Sequence, residues 1–213
     1  MAQKQEVFRR NGLCLQIQNP EALDTFSRSR LVATFFDRYL KFREQFNPNA
    51  PGTITVAFIN GIGAPGLGSS VRGRIYLYSS YLRNDPEPLQ ETLCHELMHQ
   101  VLLYHNDVEK WLIEGIADYG NYYYGVTTLA WRRDSFNHTP GSDVSWYSGY
   151  QHTAKFLMWL DRQYPGFTRS LHKACLSGAY KRQTYFVDHT NKTIEQLWTS
   201  FSKSNFSMEL PGK

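Results

Sequence analysis

A chain of 213 residues has room for one large domain or two small ones, and 41% hydrophobic residues can close a core, which excludes disorder by composition. The formal net charge is +4, but the basic residues are scattered. Arg132-Arg133 and Lys181-Arg182 are pairs rather than blocks, so composition speaks against a nucleic-acid partner.

Residues 1–18 alternate weakly through Val7, Leu13, Leu15 and Ile17 and read as a strand. From Pro20 to Phe46, Leu23, Phe26, Leu31, Phe35, Tyr39 and Phe42 recur at helical spacing, and Asn47-Pro48-Asn49-Ala50-Pro51-Gly52 ends that helix. Thr53 to Ile59 is a β-branched run, the signature of a buried strand. Gly61 to Gly73 carries five glycines and reads as a long loop. It lacks both G-x-x-x-x-G-K-[ST] and a G-x-G-x-x-G opening a helix, so a phosphate cradle is not expected. Arg74 to Leu82 reads as a strand. Asn84-Asp85-Pro86-Glu87-Pro88 then starts a further helix.

That helix carries His95-Glu96-Leu97-Met98-His99, an H-E-x-x-H. Positions four apart share a helix face, so His95 and His99 can offer imidazole nitrogens to one zinc ion, with Glu96 beside its open position as general base. A catalytic zinc needs a third protein ligand. After a turn at His105-Asn106-Asp107, a second helix brings Glu114 as that ligand, and Asp118, four residues on, can hold a zinc-bound imidazole by its other ring nitrogen. His105 is the rival, at the place where H-E-x-x-H-x-x-G-x-x-H sets its last histidine. That pattern turns the chain with a glycine. Here the residue is Leu102, and a helix continued through Leu102 and Leu103 would rotate His105 off the zinc face.

Gly120 to Tyr124 is a tyrosine cluster that caps the second helix, and 125–145 reads as a loop with a helical piece at Ala130-Trp131. Trp146 to Tyr164 resumes helical spacing and stops at Pro165-Gly166. A helix covers Phe167 to Leu176, and the last runs from Thr193, an N-cap with Gln196 as the third helical position, to Ser202. No apolar run approaches the roughly 18 residues of a membrane span. Met1-Ala2-Gln3-Lys4 does not open a signal peptide, which a mature chain would have lost. Of the three cysteines, Cys14, Cys94 and Cys175, at most two can pair, and Cys94 reads as a buried thiol. Asn137, Asn191 and Asn205 stand in N-x-[ST] sites, compatible with a glycosylated protein.

The order of these motifs resembles the basic secretory protein peptidases of plants and bacteria. The likeness rests on the strand ending Ser79-Ser80-Tyr81-Leu82, the His95 to His99 motif, and the block from Leu112 to Tyr119. Gly149-Tyr150-x-x-Thr153-Ala154-x-Phe156-Leu157 and Thr193 to Trp198 match as well. It implies a gluzincin-type zincin metallopeptidase domain, secreted in most members. Two features depart: the spacer between His99 and Glu114 is shorter than in thermolysin-like and aminopeptidase gluzincins, and Gln100-Val101-Leu102-Leu103 replaces the usual run of Trp and Gln.

The expected fold is α+β, one zincin-like domain over 1–213. A small twisted sheet beside the His95/His99 helix fills about 1–105, and a mainly helical half carrying Glu114 fills about 106–213. The expected reaction is hydrolysis of a peptide bond with one zinc, a peptide or protein as substrate, and a secreted or periplasmic location. An endopeptidase is preferred to an aminopeptidase, for which no anchor for an amino terminus is visible, and to an inactive zincin-fold binding module, against which the intact Glu96 speaks. Tyr150 is the expected oxyanion donor, with Tyr147 as its substitute. The strand Arg74 to Leu82 reads equally as a core strand or as a free edge that pairs with substrate, Tyr76 and Tyr78 then being contact residues.

Overall fold

The computed structural model describes residues 4–62, 66–82, 86–104, 107–126 and 143–207. The chain forms two compact units, Met1–Leu103 with Gly120–Leu129 and Tyr104–Tyr119 with Ala130–Lys213.

The first unit holds a five-stranded mixed sheet. Its strands are β1 (Gln5–Arg10), β2 (Leu13–Gln18), β3 (Thr53–Ile59), β4 (Gly68–Val71) and β5 (Arg74–Tyr78), in the order β1-β2-β3-β5-β4. Asn11 (φ 50°) and Gly12 (φ 74°) join β1 to β2, the two positive φ values that a tight hairpin turn demands. β2 buries Leu13, Leu15 and Ile17 on one face. β3 is central, parallel to both β2 and β5, and buried from Ile54 to Phe58, as its continuous apolar run requires. Helix α1 (Thr25–Gln45) is capped by Asp24, which accepts from the Ser27 amide at 2.8 Å. It buries Leu31, Phe35, Tyr39 and Phe42 along one stripe.

The strand expected over Arg74 to Leu82 ends at Tyr78, and Ser79–Leu82 turns into a short helix, α2. Nor is β5 a free edge. The loop expected over Gly61 to Gly73 contains β4, which pairs antiparallel with β5 and occupies that side. Leu77 lies beside Gly68, and a Cβ on that glycine would also touch Thr92. Tyr76 and Tyr78 therefore point to the opposite face. Tyr78 packs on Gly61 and donates its hydroxyl to Ser69 Oγ at 3.2 Å. Among the described residues, the outermost strand on that side of the sheet is β4, as β1 is on the other.

Helix α3 (Pro86–Leu102) packs on β4, β5 and α1. Gln90 Nε2 donates to Thr34 Oγ1 on α1 at 2.6 Å, and Asn47 Nδ2 donates to the Val101 carbonyl, one of the four left open at a helix end, at 3.0 Å. The helix does not continue as the sequence suggested. It stops at Leu102, and Leu103 takes φ 34°. The continuous-helix argument against His105 thus loses its premise, and His105 itself lies outside the described residues, as do Asn137 and the helical piece expected at Ala130-Trp131.

Helix α4 (Lys110–Tyr124) begins in the second unit and ends in the first. In the first, Gly120 gives room to Met98, whose Cε would stand 2.2 Å from an added Cβ. The second unit adds α5 (Tyr150–Gln163), α6 (Phe167–Ser177), α7 (Arg182–Thr190) and α8 (Ile194–Ser202). Gly115 of α4 packs face to face with Thr153 of α5, where a Cβ would stand 2.2 Å from Thr153 Cγ2. Tyr119 donates to Asp161 Oδ2 at 2.9 Å, while Oδ1 accepts from the Thr168 amide at the start of α6. Thr193 and Gln196 close a capping box at α8. Among the described residues, no helix is long and apolar enough to cross a membrane.

Candidate metal centre

His95 and His99 sit one turn apart on α3, a helix that is apolar on the flanks that face the sheet and α1. Leu93, Leu97, Met98 and Val101 are fully buried, so packing fixes the helix's rotation. Both imidazoles then emerge on one side. Their ring centroids are 4.8 Å apart, and Nε2 faces Nε2 at 3.1 Å. Two nitrogens bound at 2.0–2.1 Å to one tetrahedral zinc would lie about 3.3 Å apart, so the pair needs only a small adjustment to chelate.

His95, His99 and Glu114 each offer one ligand atom, and these atoms all lie within 4.8 Å of one another. Two neutral imidazoles and a carboxylate form a donor set that fits zinc in charge and chemistry. His95 is buried, while His99 and Glu114 are partly exposed.

Glu96 is 5% exposed. The edge strand passes close to it: a Cβ on Gly68 would stand 3.1 Å from Glu96 Oε1, Leu77 Cδ2 and Thr92 Cγ2 alike. Ser70 Oγ donates to the Glu96 carbonyl at 3.3 Å. Sequence reasoning missed β4 because a run of small residues carries no strand signal; the glycine itself was visible, its purpose was not. Cys94, as expected, is a buried thiol, and burial pushes its pKa up to about 12.

In the second unit Asp118 is buried, one turn beyond Glu114 on α4. Tyr150 opens α5 at φ 47°, directly after Gly149 at φ 76°. A Cβ on Gly149 would lie 3.6 Å from Trp111 Cα and 3.8 Å from Glu114 Cβ, so the backbone at the head of α5 passes over the Glu114 turn. Thr153 Oγ1 holds that approach by donating to the Trp146 carbonyl at 3.1 Å. Tyr147 is 62% exposed and sets its ring edge-on to Trp146, which meets Trp111 in the same way. His152 faces Asp143 and Lys155; burial holds its pKa below the ordinary value, more than Asp143 raises it.

Among solved structures, the chain is similar to an M1 zinc metallopeptidase from Deinococcus radiodurans (TM-score 0.52, 15% identity, 99% of this chain and 53% of that one). The same organism's enzyme with a Tyr-Ser-Ala substrate gives a TM-score of 0.53 at 14% identity, over 98% of this chain and 54% of that one. A two-domain M1 zinc metallopeptidase with L-arginine bound gives 0.55 at 15% identity, over 98% and 54%. At such identities the likeness is one of fold, and the chain spans about half the length of the structures it matches. A comparison with curated protein sequences finds no match. The family described as peptidase of plants and bacteria matches residues 73–201, from the turn before β5 to the last helix. That span holds both halves of the His–His–Glu group and more than half the chain. The protein belongs to this family of peptidases, the basic secretory protein peptidases.

Proposed function

We propose that the chain is a zinc-dependent endopeptidase, its two units forming one metallopeptidase domain, in which His95, His99 and Glu114 hold one zinc ion. The observation that carries this is the convergence of those three ligand atoms within 4.8 Å. Zinc held there supplies Lewis acidity, polarising a scissile carbonyl and acidifying water. Glu96 takes a proton from the attacking water and returns it to the leaving amine. Buried Asp118 orients a ligating imidazole through its second ring nitrogen.

Tyr150 donates its hydroxyl to the developing oxyanion. Two observations favour it over Tyr147: its backbone is held at φ 47°, a conformation that costs an aromatic residue about 1–3 kcal/mol, and the preceding glycine lies against Glu114. The open edge of β4 pairs with an extended substrate, a role that passes to it from β5. An open edge accepts the middle of a chain, which is why an endopeptidase is preferred here to an aminopeptidase. The name of the family supports a secreted location.

Glu96→Gln tests the reading. The variant should fold and bind one zinc per chain, and lose about 10²–10⁴-fold in kcat on a peptide-library substrate. Wild-type protein that is loaded with zinc and cleaves nothing in the library would leave a binding module instead.

A further inference from the structure

The residue after the second histidine, Gln100, is 1% exposed and spends its whole amide on the β4–β5 hairpin. Its Oε1 accepts from the Gly73 amide at 2.6 Å. Its Nε2 donates to the Val71 carbonyl at 2.8 Å, to the Arg74 carbonyl at 3.3 Å, and to Ser70 Oγ. Ser70 in turn donates to the Glu96 carbonyl. Both ends of the hairpin turn and the strand leading into it are therefore tied to the side of α3 that carries Glu96 and Gln100.

β5 is anchored by its pairing with β3, whereas β4 is the slighter strand of the hairpin. β4 has four residues, the sequence Gly-Ser-Ser-Val, and among the described residues a partner strand on one side only. Its side chains alternate between partial and full exposure, and Val71 is 58% exposed, so apolar burial contributes little. Short, solvated edge elements open locally at low cost unless specific bonds restrain them. Gly68 meanwhile lies where an added Cβ would stand 3.1 Å from Glu96 Oε1, so the strand runs close to the carboxylate.

We infer that Gln100 is a positioning residue for substrate: it clamps the β4–β5 hairpin to α3, so that the open β4 edge is set at a fixed height beside Glu96 for an extended peptide. This rests on the peptidase reading above. Peptides long enough to pair along β4 depend on the clamp, and peptides that reach only the bond being cut do not. Neither the zinc ligands nor the general base is altered by removing it.

The test is Gln100→Met, close in length but without the amide, read in two ways. Amide hydrogen exchange in residues 68–74 should quicken by about tenfold or more, the scale of one to two lost net hydrogen bonds, while β1 and β2 are unchanged. On an extended peptide KM should rise about tenfold with kcat within about twofold. The shortest peptide that the wild type cleaves should keep its kcat/KM, and zinc content should stay at one per chain. Unchanged exchange in 68–74 overturns the clamp, and so does an equal loss on short and long peptides. Should Gln100→Met fail to fold, Gln100→Glu keeps the acceptor for Gly73 and loses the donors, and must move both readouts in the same direction. If zinc-loaded wild type cleaves nothing, the peptidase reading has failed and the exchange measurement alone decides the clamp.

Discussion

Gly68 stands so close to Glu96 that a single methyl group on it would lie 3.1 Å from the carboxylate oxygen. Gly68→Ala should therefore act on both stability and rate. Leu77 and Thr92 crowd the same methyl, and overpacking of this kind typically costs about 1–3 kcal/mol. The added carbon also reaches the proton acceptor, so kcat should fall about tenfold or more with zinc retained. Thermal unfolding and steady-state kinetics check this; an alanine variant with wild-type melting and wild-type kcat would show that the approach is not tight.

The ligand set is tested by two substitutions and a chelator. Glu114→Ala should strip the zinc, whereas His105→Ala should leave it near one per chain by metal analysis. Chelation should lower the melting temperature of the wild type, since an ion bound only to the folded state at 100 times its Kd stabilises by about 2.7 kcal/mol. Zinc lost with His105→Ala and kept with Glu114→Ala would reverse the assignment.

Asp118→Ala should weaken zinc affinity or activity by about 10–100-fold, the usual cost of losing a residue that orients a ligand. Competition with a metal indicator measures the first and initial rates the second. A folded variant with both at wild-type levels removes Asp118 from the site.

Tyr150→Phe keeps the ring and removes the hydroxyl. It should lower kcat by about 10²–10³-fold at nearly constant KM, as expected when one oxyanion donor is lost. Tyr147→Phe should change neither constant by more than about twofold. The opposite ranking would move the donor to Tyr147.

Much of this was legible in the residues, for a definite reason in each case. α1, α3 and α5 carry long apolar stripes, β3 is a β-branched run, and Thr193 with Gln196 writes the start of α8 directly. That His95 and His99 share one side of α3 could be read because a helix repeats about every turn, so spacing along the chain becomes spacing in space. What depends on pairing was not legible. Gly-Ser-Ser-Val becomes β4 only because β5 and Gln100 hold it, and Arg182–Thr190 buries only Tyr185, Phe186 and Thr190, too few residues to show a helical period. The turn at Asn11-Gly12 is a strong hairpin signal, and reading 1–18 as one strand passed over it. The chain's departure from α3 at Leu103 also escaped, since nothing in a leucine announces a positive φ.

The bond from Asn47 to the Val101 carbonyl joins residues 54 positions apart, and it is buried. Closing a loop of that length costs chain entropy before any contact repays it. The last turn of the histidine helix is therefore held in part by a bond that local preference does not supply, one made only when the turn after α1 lies against α3. On the zinc reading, an ion present during refolding meets loose histidines first and a finished pair afterwards, and the bond from the buried Asn47 belongs to the second state.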